Sequence, residues 1–158
     1  MKLDNARRAG WIKFIYMLIP LIVLIAASAI YLFWDVKDLR YMAAAFVLLV
    51  LFFFSMSVFK FNYIVFYAGP DNIRIRFKKL TPFNSPNSSV QIKVENFKNY
   101  EIKTSLFGIR KVMFLYQKTA SGLAKYPGIG FSALNSNEIA QIKKAFDLIL
   151  VLNKSKKS

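Results

Sequence analysis

FIYMLIPLIVLIAASAIYLFW (residues 14–34) and YMAAAFVLLVLFFFSMSVF (residues 41–59) decide the fold. They hold 21 and 19 residues without a charge, and only residues 35–40 lie between them. A helix rises about 1.5 Å per residue, so about 20 residues cross the ~30 Å apolar layer of a bilayer. Residues 1–60 therefore read as a basic flank and a two-helix transmembrane hairpin. Residues 61–152 are expected to form a small separate domain, and residues 153–158 a basic tail that includes Lys154, Lys156 and Lys157.

Charge sets the expected orientation. Lys2, Arg7, Arg8 and Lys13 precede the first run, and Lys60, Arg74, Arg76, Lys78 and Lys79 follow the second, against Lys37 and Arg40 between them. Basic flanks stay cytoplasmic, which predicts both termini inside and the short turn outside. Trp11, Tyr16, Trp34 and Tyr41 stand near the span ends, where amphipathic rings anchor at the interface, with packing between the helices as the plain alternative for some of them. The run ending in Ala26-Ala-Ser-Ala29 also has the form of a secretory signal. Its uninterrupted continuation to Trp34 favours an uncleaved anchor. Ala26, Ala27, Ser28 and Ala29 are expected to approach Ala43, Ala44 and Ala45 at similar depth, and Pro20 to kink the first helix. No ionisable side chain lies in either span, which argues against an ion or proton path through this chain alone.

The 158 residues carry a net charge of +15, and the portion from Lys60 onward holds 17 Lys and Arg against five acids. Such a balance suits anionic lipid or nucleic acid. The hairpin decides for lipid, at roughly 1 kcal/mol per basic residue close to an anionic surface. There is no Cys and no His, so the usual thiolate and imidazole ligands and bases are missing, and neither a metal site nor a cofactor is expected.

Past the hairpin the pattern turns to strands. Residues 61–68 are aromatic and β-branched, and Gly69-Pro-Asp-Asn72 is turn chemistry. Ile73, Ile75 and Phe77 alternate with Arg74, Arg76 and Lys78, which marks a half-buried strand with a basic outer face. Residues 80–89 read as a loop. Strands follow over 90–95, 100–107 and 109–118, the last apolar on both faces and so central or packed under the helix. Short strands at 123–126 and 130–133 come next. Asn135 with Glu138 makes a capping box, and Ile139, Ile142, Phe146 and Ile149 form one stripe of a closing amphipathic helix. The fold class is a membrane α-helical hairpin plus a mainly-β barrel or sandwich capped by a C-terminal helix.

This order resembles bacterial pleckstrin-homology-like proteins in which two N-terminal membrane helices precede one such domain. The resemblance rests on the hairpin, the hydrophobic-basic strand 73–79, Ser105-Leu-Phe-Gly108, and the stretch 129–144. It implies a membrane-attached binding or assembly module at the bacterial inner membrane. Lipid-binding members often carry a basic pair on the second strand, and Arg74-Ile-Arg76 stands there. The lysine that ends their first strand is replaced by Tyr67-Ala68, which counts against a specific phosphoinositide pocket. Arg74, Arg76, Lys78 and Lys79 are the candidate lipid or partner contacts, with a solvated strand face as the plain alternative. The expected function is a binding or scaffold module contacting anionic lipid or a partner protein. The alternative is a small accessory subunit of a larger membrane transport or secretion complex, with an integral-membrane partner or a homo-oligomer along the hairpin. No catalytic residues are expected: Asp71 and Glu138 have turn and cap roles, and Glu95 and Glu101 read as exposed partners of lysines. Nucleic acid is not an expected partner, because the aromatics are better used in the core.

Overall fold

The computed structural model describes residues 1–33, 39–81 and 86–155. Trp34, most of the turn between the helices, part of the 80–89 loop, and Lys156 and Lys157 lie outside the described residues.

The chain opens with a strand that its sequence does not announce. β1 (Lys2–Asp4) pairs antiparallel with β2 (Asn62–Ala68), so the N-terminal flank belongs to the β domain. Leu3 is buried between exposed Lys2 and Asp4. Three residues are too few for a period of two to be read, and the partner strand lies some sixty residues away. α1 (Ala6–Phe33) then starts eight residues before the uncharged run. Asp4 Oδ1 accepts from the Ala6 N–H at 2.8 Å, which satisfies one of the orphan donors of the first turn, and the Asn5 carbonyl accepts from the Ala9 N–H at 2.9 Å as the first helical bond.

α1 continues through Pro20, and α2 (Leu39–Phe59) returns beside it. By helical rise they are about 42 and 32 Å long. Both are long and apolar enough to cross a membrane. Half-buried Ile12, Tyr16, Pro20, Val23 and Ala27 recur at three- and four-residue steps on α1, and Ala45, Leu49 and Phe52 do so on α2. These stripes are the seam, where the rings of Tyr16 and Phe52 meet at 5.7 Å. Of the expected small-residue contact, Ala27, Ala29 and Ala45 are half-covered, while Ala43 and Ala44 are exposed.

The domain is two antiparallel sheets. The first has the order β1-β2-β3-β4, with β3 (Asn72–Lys79) and β4 (Ser88–Lys93). The second joins β5 (Phe97–Ser105), β6 (Arg110–Thr119) and β7 (Gly122–Lys125), with β8 (Ile129–Gly130) also on β6. The central place expected for residues 109–118 is the one β6 takes, with Val112, Met113 and Leu115 all buried. Among the described residues no ladder joins the sheets, so the barrel form is not adopted. A 3-10 turn at Val94–Asn96 separates β4 from β5, and a register shift between Phe97 and Asn99 turns β5 away.

α3 (Ser136–Ser155) closes the space between the sheets. Its buried side chains are the predicted stripe, Ile139, Ile142, Phe146 and Ile149. Asn135 Oδ1 accepts from the Glu138 N–H at 2.7 Å, and Glu138 Oε2 accepts from the Asn135 N–H at 2.6 Å, a complete capping box. Phe146 spans both layers, with ring contacts to Phe66 at 5.4 Å, Phe97 at 5.0 Å and Tyr100 at 5.0 Å.

Candidate functional site

The domain has a near end, at the feet of the helices, and a far end. At the far end the Val94 N–H donates to the Asp71 carbonyl at 2.8 Å, and Asn153 Nδ2 donates to the Val94 and Phe97 carbonyls at 2.6 and 3.2 Å. At the near end three polar side chains tie the helix feet to the sheets. Asn5 Oδ1 accepts from the Ile64 N–H at 2.7 Å, while its Nδ2 donates to the Asn62 carbonyl at 3.2 Å. Asn62 Nδ2 donates to the Gly130 carbonyl at 3.0 Å. Ser132 Oγ donates to the carbonyl of Phe59, the last residue of α2, at 2.6 Å and accepts from the Lys111 N–H at 3.1 Å. Asn5 and Asn62 are both buried, so each bond replaces water that cannot enter. The joint leaves no room for a side chain at residue 130, where a Cβ would run into the Lys60 carbonyl.

Strand parity splits the four candidate cations. Arg74, Arg76 and Lys78 lie on the outer face of the first sheet, opposite buried Ile73 and Ile75. In register with them are Tyr67 and Lys2 beside Arg74, Val65 and Asp4 beside Arg76, and Tyr63 beside Lys78. Arg74 Nη2 donates to Gln91 Oε1 at 3.1 Å, and Arg76 is exposed. Asp4, the acid on this face, is engaged by the Tyr63 hydroxyl at 3.2 Å. Burial first, and then the Asp4 carboxylate, raise the Tyr63 hydroxyl above its ordinary range.

Lys79 points to the opposite side, because adjacent strand residues alternate faces. There it shares a cavity with Lys60, a residue the sequence marks only as flank. Lys60 follows the last residue of α2 with φ of 50°, the left-handed position usually given to glycine. Both lysines line a cavity of about 640 Å³ at the near end. Phe53, Phe61, Phe77 and Leu80 supply apolar wall, and Ser57 and Thr81 supply hydroxyls. The site thus joins two ammonium groups to an aromatic surface at the exit of an apolar helix. Its chemistry suits an anion with an apolar tail.

The acids are dispersed into local pairs. Glu101 Oε2 accepts from the Tyr116 hydroxyl at 3.0 Å and Glu101 pairs with Lys103 at 3.5 Å, so its carboxyl is held below the ordinary range by the tyrosine bond and then by Lys103 and Lys125. Glu95 pairs with Lys93 at 4.0 Å. Asp147 accepts from the Tyr100 hydroxyl at 2.8 Å. Among the described residues no three acids gather in one place.

No family model matches the chain, and no curated protein or solved structure matches it either.

Proposed function

We propose that this chain is a membrane-anchored binding module of the pleckstrin-homology-like kind, which holds anionic phospholipid at the foot of its β domain. The observation that carries this reading is the cavity where Lys60 and Lys79 face aromatic walls at the end of α2. A phosphate would sit between the two ammonium groups and its acyl chain would follow Phe53 and Phe61 toward the bilayer. The outer-face cations Arg74, Arg76 and Lys78 would add a longer-range attraction. The orientation proposed is cytoplasmic for both termini at a bacterial inner membrane, by the excess of basic flanks. Pairing of β1 with β2 supports a shared side, since residues on both sides of the hairpin meet in one sheet. An order of antiparallel strands closed by one helix supports the family reading. The role is binding, without a catalytic step.

The test is lipid retention by the purified full chain, read by native mass spectrometry in phosphatidylglycerol and in phosphatidylcholine. Phosphatidylglycerol should be retained preferentially, and Lys60→Glu with Lys79→Glu should remove the preference, by about fivefold per cation at roughly 1 kcal/mol each. Reversal of Arg74, Arg76 and Lys78 should act less and should lose its effect in high salt. Equal retention of both lipids, unmoved by either set, would reject the assignment. A stoichiometric integral-membrane partner in place of lipid would favour the accessory-subunit reading.

A further inference from the structure

The turn between β5 and β6 is built against its own sequence. The Ile109 N–H donates to the Leu106 carbonyl at 3.1 Å, closing a two-residue hairpin turn over Phe107 and Gly108. Their φ angles are 53° and 90°, the left-handed pair that such a turn requires. Asn, Asp or Gly normally fills the first of these positions, because a bulky side chain is strained there. Leu106 is left-handed as well, with φ of 54°. Phe107 is fully exposed, and Leu106 and Ile109 are exposed beside it. The domain therefore strains its backbone to present three apolar side chains that it does not itself bury.

Where the turn lies says what covers it. β5 leaves the far end at Phe97 and runs toward the near end. β6 starts back beside the helix feet, since the Lys111 N–H and the Phe59 carbonyl share one Ser132 hydroxyl. Residues 106–109 project beyond Lys111, on the side from which α1 and α2 leave the domain. Arg110, at the base of the turn, has a buried Nε–H with no acceptor among the described residues. Basic residues below an apolar tip match the order of headgroups and acyl chains.

We infer that residues 106–109 form an interfacial wedge, with Phe107 at its tip, that dips into the same bilayer that α1 and α2 enter. The occupant is phospholipid, and the inference rests on the membrane reading given above. It adds a third point of contact to the two helices, which fixes the tilt of the β domain on the surface.

The chain has no cysteine, so single-cysteine labels are unambiguous. The full chain is placed in vesicles of phosphatidylcholine and phosphatidylglycerol with an environment-sensitive fluorophore at Phe107→Cys, Leu123→Cys or Leu21→Cys. Leu123 is an exposed apolar residue on β7, toward the far end. The label at 107 should be blue-shifted, quenched by bilayer-borne quencher and several-fold less sensitive to aqueous iodide than the label at 123. To exclude insertion driven by the label itself, a second pair carries it on exposed Ser105→Cys, with Phe107 intact or replaced by Phe107→Asp. Protection at 105 should be lost with the aspartate. Iodide sensitivity at 107 equal to that at 123, with the label at 21 protected, would overturn the wedge and leave the anchor standing. Exposure of the label at 21 would overturn both.

Discussion

Asn5 serves two backbones at once. Its carboxamide oxygen satisfies the Ile64 N–H, its amide nitrogen satisfies the Asn62 carbonyl, and its own carbonyl starts α1. A carboxylate has no donor and a hydroxyl offers both functions only at a single atom, whereas the carboxamide sets acceptor and donor on two atoms, which is a physical reason for asparagine here. Tyr100 shows the same logic across α3, where its hydroxyl donates to Asp147 at 2.8 Å. Burial, and then that carboxylate, push the Tyr100 hydroxyl up to about 12. An unfolded tyrosine titrates near about 10. Between these values the folded chain keeps a proton that the unfolded chain has lost, so stability falls as pH rises. The contribution is whole below about pH 10 and is lost on approach to about 12. Tyr63 shifts in the same direction. Tyr100→Phe should therefore reduce, without abolishing, the alkaline decline of the denaturation midpoint. A decline of unchanged slope would remove Tyr100 from the explanation.

Among the elements, α3 does most to join the two sheets. Phe146 touches Phe66 from the first sheet and Phe97 and Tyr100 from the second. Phe146→Ala should cost about 3–5 kcal/mol, because three aromatic neighbours cannot all collapse into the space left. Chemical denaturation of the full chain in detergent measures this, and a loss under about 1 kcal/mol would mean that the sheets hold together without the helix. This helix was legible in the sequence down to its cap and its four buried residues, since a long stripe with a capping box is a strong local signal. β1 was not, because its meaning lies in a partner strand beyond the hairpin. In the sequence, residues 106–107 read as the end of one strand and Ile109 as the start of the next, with only Gly108 between them, since Phe-Gly lacks the usual Asn-Gly signature. Three of the four candidate cations share a face as the alternation implied. Lys79 does not, and the same alternation carries that signal, because Lys78 and Lys79 are neighbours in one strand. Lys60 was visible only as flank, since its place beside Lys79 depends on how α2 hands the chain to β2.

On the scale of the whole molecule, the near end gathers the features that a bilayer surface would engage. The helix feet, the Lys60–Lys79 cavity and the 106–109 turn all lie there, while the 69–72 turn and the end of α3 lie at the other. The hydrogen-bonded joint of Asn5, Asn62 and Ser132 couples the helices to the sheets with buried bonds rather than a free linker, so helix position and domain position should move together. The central claim is that α1 and α2 cross a bilayer and hold the β domain on one side of it. Single cysteines at Lys2, Ser121 and Leu48, probed with a membrane-impermeant maleimide in intact cells expressing the chain, test it most directly. The account predicts that the sites at 2 and 121 stay unreactive until the cells are permeabilised and then react together, while the site at 48 reacts only after detergent. Reaction at 48 without detergent, or reaction at 2 and 121 from opposite sides, would contradict it.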